Sequence, residues 1–144
     1  MTALDPIYTN LPHKGAMQLL DRVLDWGQDS ICCETLSHRS EGNPLRCAGA
    51  LSSVHAVEYA AQAAAVHGVL CNVLNGGPML VLAAVRDLRL EVDRLDTLPM
   101  PLQICAFLHA RSGPNAIYQF TLQSGDSPCA GGSLTLMQCG DLSL

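Results

Sequence analysis

An imidazole and a carboxyl one helical turn apart are the residues of this sequence best placed to do chemistry. His55 and Glu58 belong with Tyr59 and Gln62 to a set whose three- and four-residue spacings put all four on one face of a helix. Histidine can take a proton near neutral pH and a carboxyl can deliver one, so the pair fits general acid–base work. The alternative for Glu58 is a purely structural hydrogen bond to His55 or to a backbone group. A Glu buried in an apolar helix is uncommon enough to favour a site. His13, in the turn-rich stretch Leu11-Pro12-His13-Lys14-Gly15, is a second candidate base, or a residue that fixes that turn. His67 lies off the stripe and reads as helix packing, and His38 and His109 read as exposed strand positions. Seven cysteines form no CxxC pair and no His stands three to five residues from another, so zinc templates fail and no metal is expected. The thiols read as reduced side chains used as small hydrophobes.

The element that must carry the stripe is a helix over residues 51–74, about 35 Å long at 1.5 Å per residue. Its apolar residues occur on nearly every side, which predicts burial. Ser52 or Ser53 supplies an N-cap, and Gly76 and Gly77 follow the end. Before it, residues 17–26 and 30–38 read as two strands joined by the Gly27-Gln28-Asp29 turn, and residues 40–49 as a loop rich in Gly, Asn and Pro. After it come strands over 78–92, 102–109, 116–123 and 133–138. The first half of the 78–92 strand is apolar on both faces and predicts a central, covered strand. Its second half alternates, with Leu88, Leu90 and Val92 opposite Asp87, Arg89 and Glu91. One antiparallel sheet curled around one buried helix satisfies this order, so the fold class is α+β with a single domain over residues 1–144.

The composition narrows the function classes. With 49% hydrophobic residues and 15% charged, the chain carries less charge than most soluble domains, which predicts a buried subunit interface. A net charge of -5 with eight scattered Lys and Arg gives no basic stripe for nucleic acid. The apolar helix is interrupted by His55, Glu58, Gln62 and His67, so no membrane insertion is expected. The N-terminus, with Asp5, Pro6 and Asn10, does not read as a signal peptide, and a cytoplasmic location is expected.

Two stretches resemble 3-hydroxyacyl-ACP dehydratases of the hotdog fold: Leu11-Pro12-His13-Lys14-Gly15-Ala16-Met17 continuing through Leu19-Leu20-Asp21-Arg22-Val23, and the helix motif Val57-Glu58-Tyr59-Ala60-Ala61-Gln62-Ala63. The likeness is closer to the aryl-polyene-type (ApeP-like) branch, carried by Asn43-Pro44-Leu45-Arg46, Ala65-Val66-His67-Gly68 and Val85-Arg86-Asp87-Leu88-Arg89-Leu90. The resemblance implies a hotdog domain that removes water from a 3-hydroxyacyl thioester to give the 2-enoyl thioester, in fatty-acid-like or polyene biosynthesis. The substrate would be carried on acyl carrier protein or coenzyme A as its phosphopantetheine thioester, with no further cofactor. By motif match Glu58 is the acid and Gln62 the helix glutamine one turn later, which the resemblance implies is substrate-binding together with Ser53. Backbone N–H groups around Ser53 to His55 would polarise the thioester carbonyl. The family's His-Phe-Pro-Gly histidine has no counterpart in residues 40–49, which leaves His55 as the base, with His13 next.

The resemblance also implies a site between two subunits, hence a homodimer or a heterodimer with a related hotdog subunit, and Arg39, Arg46, Arg86 and Arg89 are candidates to dock an acidic carrier protein. Two other functions fit the same residues. A hotdog thioesterase would use Glu58 to activate water, and a non-catalytic hotdog subunit would bind an acyl chain or support a partner.

Overall fold

The computed structural model describes residues 4, 17–71 and 80–138. His13 and its neighbours, and the predicted helix end at 72–74, lie outside the described residues. Strands β1 (Arg22–Trp26) and β2 (Ser30–Thr35) precede a helix, α1 (Ala56–Leu70), and β3 (Leu80–Leu90), β4 (Leu102–Ser112), β5 (Asn115–Ser124) and β6 (Ser127–Gln138) follow it. All strand pairs are antiparallel, in the order β1-β2-β4-β5-β6-β3. The sheet wraps α1, as a hotdog fold does.

The period of two along β4 and β5 explains why the sheet can hold a helix. Leu102, Ile104 and Ala106 on β4, and Tyr118, Phe120 and Leu122 on β5, are buried on the concave side, whereas Phe107 and Ile117 face out. α1 fills that side with small residues: Ala56, Ala60, Ala63 and Ala64 are buried, so the helix axis can approach the sheet closely. Ten of its fifteen residues are buried, in keeping with an apolar sequence on every face. A 3-10 turn, Ser53–His55, leads into it, with the Ser52 side chain capping.

Three expectations are corrected. β3 is an edge strand, not a covered central one: Val81, Leu82, Val85, Leu88 and Leu90 are all exposed in the single chain. The second strand stops at Thr35, and His38 sits in a 3-10 turn, Ser37–Arg39, fully buried, with Nε2 against the Leu98 carbonyl at 3.0 Å. Burial pushes its pKa down. Not all the thiols are reduced, because Cys32 and Cys105, directly opposed across β2 and β4, form a disulfide on the outer face of the sheet. Cys33 and Cys129 are buried free thiols, as small hydrophobes would be.

Candidate active site at the start of the helix

The segment that follows β3 returns to clamp the start of α1. The Leu51 N–H donates to Asp96 Oδ1 at 2.9 Å, the Leu95 N–H to the Leu51 carbonyl at 2.8 Å, and the Ser53 N–H to the Asp93 carbonyl at 3.0 Å. Asp96 is held in turn by the Arg94 guanidinium, with Nε at 3.1 Å. That guanidinium and the Leu51 N–H keep the Asp96 carboxyl well below the usual carboxylate range.

His55 and Glu58 come together at this clamped end. They line one open pocket of about 400 Å³ whose remaining walls are Val54 and Val57 from the helix and Val85 and Leu88 from β3. Both polar side chains are half-buried. An imidazole, a carboxyl and four aliphatic walls around one space can move protons on a substrate whose other atoms are apolar.

The N–H groups expected to polarise a carbonyl are engaged by the protein itself. Ser53 is buried and bonded to Asp93, His55 N–H reaches the Ser52 carbonyl at 3.1 Å, and Val54 N–H reaches Ser52 Oγ at 3.3 Å. The Val54 contact is the longest of the three, and Val54 lines the pocket.

Tyr59 and Gln62, the other two stripe residues, are fully buried and face different neighbours. The Tyr59 hydroxyl meets Ser37 Oγ at 2.8 Å and accepts from Asn43 Nδ2 at 3.1 Å. Asn43 also holds its own turn, with Oδ1 accepting from the Leu45 N–H and Nδ2 donating to the Ser37 carbonyl. Arg46 donates to the carbonyls of Gly49 and His38. Asn43 and Arg46 therefore brace the loop before the helix. Gln62 accepts the Leu19 N–H at 3.0 Å and donates to the Met17 carbonyl at 2.6 Å, pinning the chain that leads into β1. Asp21 and Arg22 do not pair with each other: Asp21 accepts the Leu36 N–H, and Arg22 pairs with Glu34 at 2.6 Å.

A second polar group lies at the far end of α1. His67 is fully buried with Nε2 at 2.7 Å from the Gly27 carbonyl and Nδ1 at 2.6 Å from the Tyr118 hydroxyl, which also accepts from Arg111 Nη2 at 2.8 Å. Arg111 has only donors, so the Tyr118 proton goes to Nδ1 and the His67 proton sits on Nε2, a tautomer assigned from this network. Burial lowers the His67 pKa and raises that of Tyr118 to about 12, so both stay neutral. Cys71 Sγ lies 3.4 Å from His67 Nε2, but that nitrogen is committed as a donor and cannot activate the thiol, whose pKa burial also raises. This end is structural. Among the described residues no three His, Cys, Asp or Glu side chains converge as they would on a metal ion, and no helix is long and apolar enough to cross a membrane.

The sheet order, the single wrapped helix and the pocket at its start define a hotdog-fold protein, a class that holds both dehydratases and thioesterases. Within that class the chain belongs to the ApeP-like family, described as ApeP dehydratase, which it matches over residues 5–143. Among solved structures it is similar to the dehydratase heterocomplex ApeI:P from Xenorhabdus doucetiae, with 20% identity, a TM-score of 0.80, and 94% of this chain and 91% of that one covered. A thioesterase from Haemophilus influenzae shares 13% identity at a TM-score of 0.62, with 100% and 96% covered. A hypothetical thioesterase with coenzyme A from Streptococcus pneumoniae shares 9% at 0.56, with 83% and 88% covered. At these identities the solved structures speak for the fold alone. No curated protein sequence matches.

Proposed function

We propose that this chain dehydrates a 3-hydroxyacyl thioester to the 2-enoyl thioester at the His55–Glu58 pocket. The observation that carries the reading is the convergence of those two side chains in one open, otherwise aliphatic pocket at the helix start, in a chain of a dehydratase family. His55 takes the proton from C2, Glu58 delivers one to the C3 hydroxyl, and water leaves as the double bond forms. The Val54 N–H, giving up its long contact with Ser52 Oγ, would turn to the thioester carbonyl, where enolate charge develops. His13 is the next candidate for the base.

The site opens beside the β3 edge, and an eleven-residue edge strand with exposed Val81 and Leu82 supports a second hotdog subunit, identical or related, paired along it. Of the four arginines considered for a carrier protein, Arg86 and Arg89 are exposed on β3, whereas Arg39 and Arg46 donate to backbone carbonyls. Arg86 and Arg89 are therefore the better carrier contacts.

Mass spectrometry of a 3-hydroxyacyl carrier thioester after incubation tests the reaction, with Glu58→Gln and His55→Asn beside the native protein. Loss of water that falls about a hundredfold or more in Glu58→Gln is expected, since the amide cannot deliver a proton. Release of free thiol would instead assign a thioesterase that uses Glu58 to activate water. No change of the thioester, alone or with a related subunit, would leave the chain a non-catalytic subunit.

A further inference from the structure

The pairing of β3 with β6 slips at two places, between Leu82 and Ala84 and between Arg86 and Arg89, and the second slip decides which side chains face Glu58. Arg86 pairs with Ser133 and the ladder resumes with Arg89 opposite Gly131, so three steps along β3 match two along β6. The extra residue is a β-bulge, and Asp87 within it has a left-handed backbone, φ 54°. Asp is one of the few side chains that adopts this region readily.

Strand residues alternate faces, so Val85 and Leu88, three apart, would point to opposite sides of a regular strand. Val85 pairs with the fully buried Leu134 and faces the concave side. Without the bulge, Asp87 and Arg89 would follow it there. With the bulge the phase inverts: Leu88 joins Val85 in the pocket with His55 and Glu58. Asp87 and Arg89 line a separate pocket of about 230 Å³ with the outward-facing Gln119 and Thr121. Gly132 makes room for this, because a Cβ there would lie 3.2 Å from the Arg86 carbonyl and 3.3 Å from Leu88 Cα. The bulge thus removes two charges from the surroundings of Glu58 and replaces them with one aliphatic side chain.

We propose that Leu88, turned inward by this bulge, is the acyl-recognition wall of the site, selecting an apolar acyl segment beyond C3 and rejecting acyl groups that carry a charge there. This rests on the reading that the pocket receives an acyl thioester, but not on what reaction follows. Leu88 and Val85 remain 36% and 37% exposed in the single chain, so they have surface to offer a ligand. An added methylene buried against them tightens binding about fourfold.

The test is binding, not turnover, so that it stays separate from the dehydration reading. The affinity of the protein for saturated N-acetylcysteamine thioesters is measured by calorimetry, using butanoyl, octanoyl and ω-carboxylated octanoyl groups. The expected result is tighter binding of octanoyl than butanoyl by about tenfold or more, and rejection of the carboxylated chain. Leu88→Ala should compress that ratio to about twofold, and Leu88→Glu should lose octanoyl binding with an unchanged circular dichroism spectrum. Asp87→Gly, which keeps a residue suited to positive φ, should retain the native ratio. An unaltered chain-length ratio in Leu88→Ala overturns the proposal, as does the absence of any binding to the native protein. A protein that dehydrates nothing yet shows the Leu88-dependent ratio would refute the reaction and keep the wall.

Discussion

Replacing Gln62 by Leu should destabilise the fold without touching the chemistry, and the size of the effect follows from two hydrogen bonds. The carboxamide is fully buried and joins the Leu19 N–H to the Met17 carbonyl, 43 and 45 residues away in sequence. Leu19 is itself fully buried, so its N–H would be left without a partner, at about 1–3 kcal/mol. Met17 is only half-buried and its carbonyl can turn to water, which adds about 1 kcal/mol at most. Leu fills nearly the same volume, so no large cavity offsets or enlarges the loss. The sum is about 1–4 kcal/mol, or a fall in Tm of about 3–13 °C for a domain of this size. Gln62→Glu sharpens the test. An ionised carboxylate can accept from Leu19 but cannot donate to Met17, so the folded state favours the protonated acid and raises its pKa above the unfolded value of about 4.3. The variant should match the native protein near pH 4 and lose stability progressively as pH rises. Differential scanning calorimetry from pH 4 to 8 reads both effects. An unchanged Tm in Gln62→Leu combined with a raised KM for the thioester would refute the structural assignment and return Gln62 to the substrate.

Other consequences are as direct. Tyr59→Phe leaves the Asn43 and Ser37 contacts unmade and should cost about 1–2 kcal/mol in urea unfolding. His67 is held neutral below its ordinary pKa of 6.5 by burial, with the Arg111 charge adding to this against the Gly27 carbonyl and Asp29. Below about pH 6.5 the unfolded chain takes up a proton that the folded chain refuses, so stability should fall from pH 7 to 5.5, and less steeply in His67→Gln. Val81→Lys with Leu82→Lys should turn a dimer into a monomer by light scattering, whereas a native protein that is already monomeric at micromolar concentration would refute pairing along β3. Removing the Cys32–Cys105 bond, which closes a loop of 73 residues, should cost about 2–4 kcal/mol, and non-reducing alkylation mass spectrometry should find those two thiols unlabelled.

The helix and the alternation of β4 and β5 were legible because both are local patterns: small apolar residues on every side of α1, and a strict period of two along each strand. The position of β3 was not legible. A strand apolar on both faces shows only that something covers it, and pattern alone cannot distinguish the same chain from a second one. The disulfide escaped for a related reason, since Cys32 and Cys105 become opposed only through the register of β2 on β4. His38 reads as a strand residue because one turn of 3-10 helix after Thr35 leaves no periodic signal. In β3 the alternation of Leu88 and Leu90 against Asp87 and Arg89 could be read, but its slip relative to Val85 depends on Gly132 of another strand.

The polar stripe shows how far spacing can go toward a site. At about 100° per residue, Glu58 lies about 60° to one side of His55 and Tyr59 about 40° to the other. Such a stripe is wide enough to touch two neighbours, and here it does: the Glu58 edge meets β3 and the Tyr59 edge meets the loop at Ser37 and Asn43. Gln62 lies angularly between them but a turn or more deeper, where Met17 and Leu19 cover it. Four residues that sequence periodicity treats as equivalent are therefore divided by depth as well as by angle. The pair at the helix start lines an open pocket, while Tyr59 and Gln62 hold the segments that flank it.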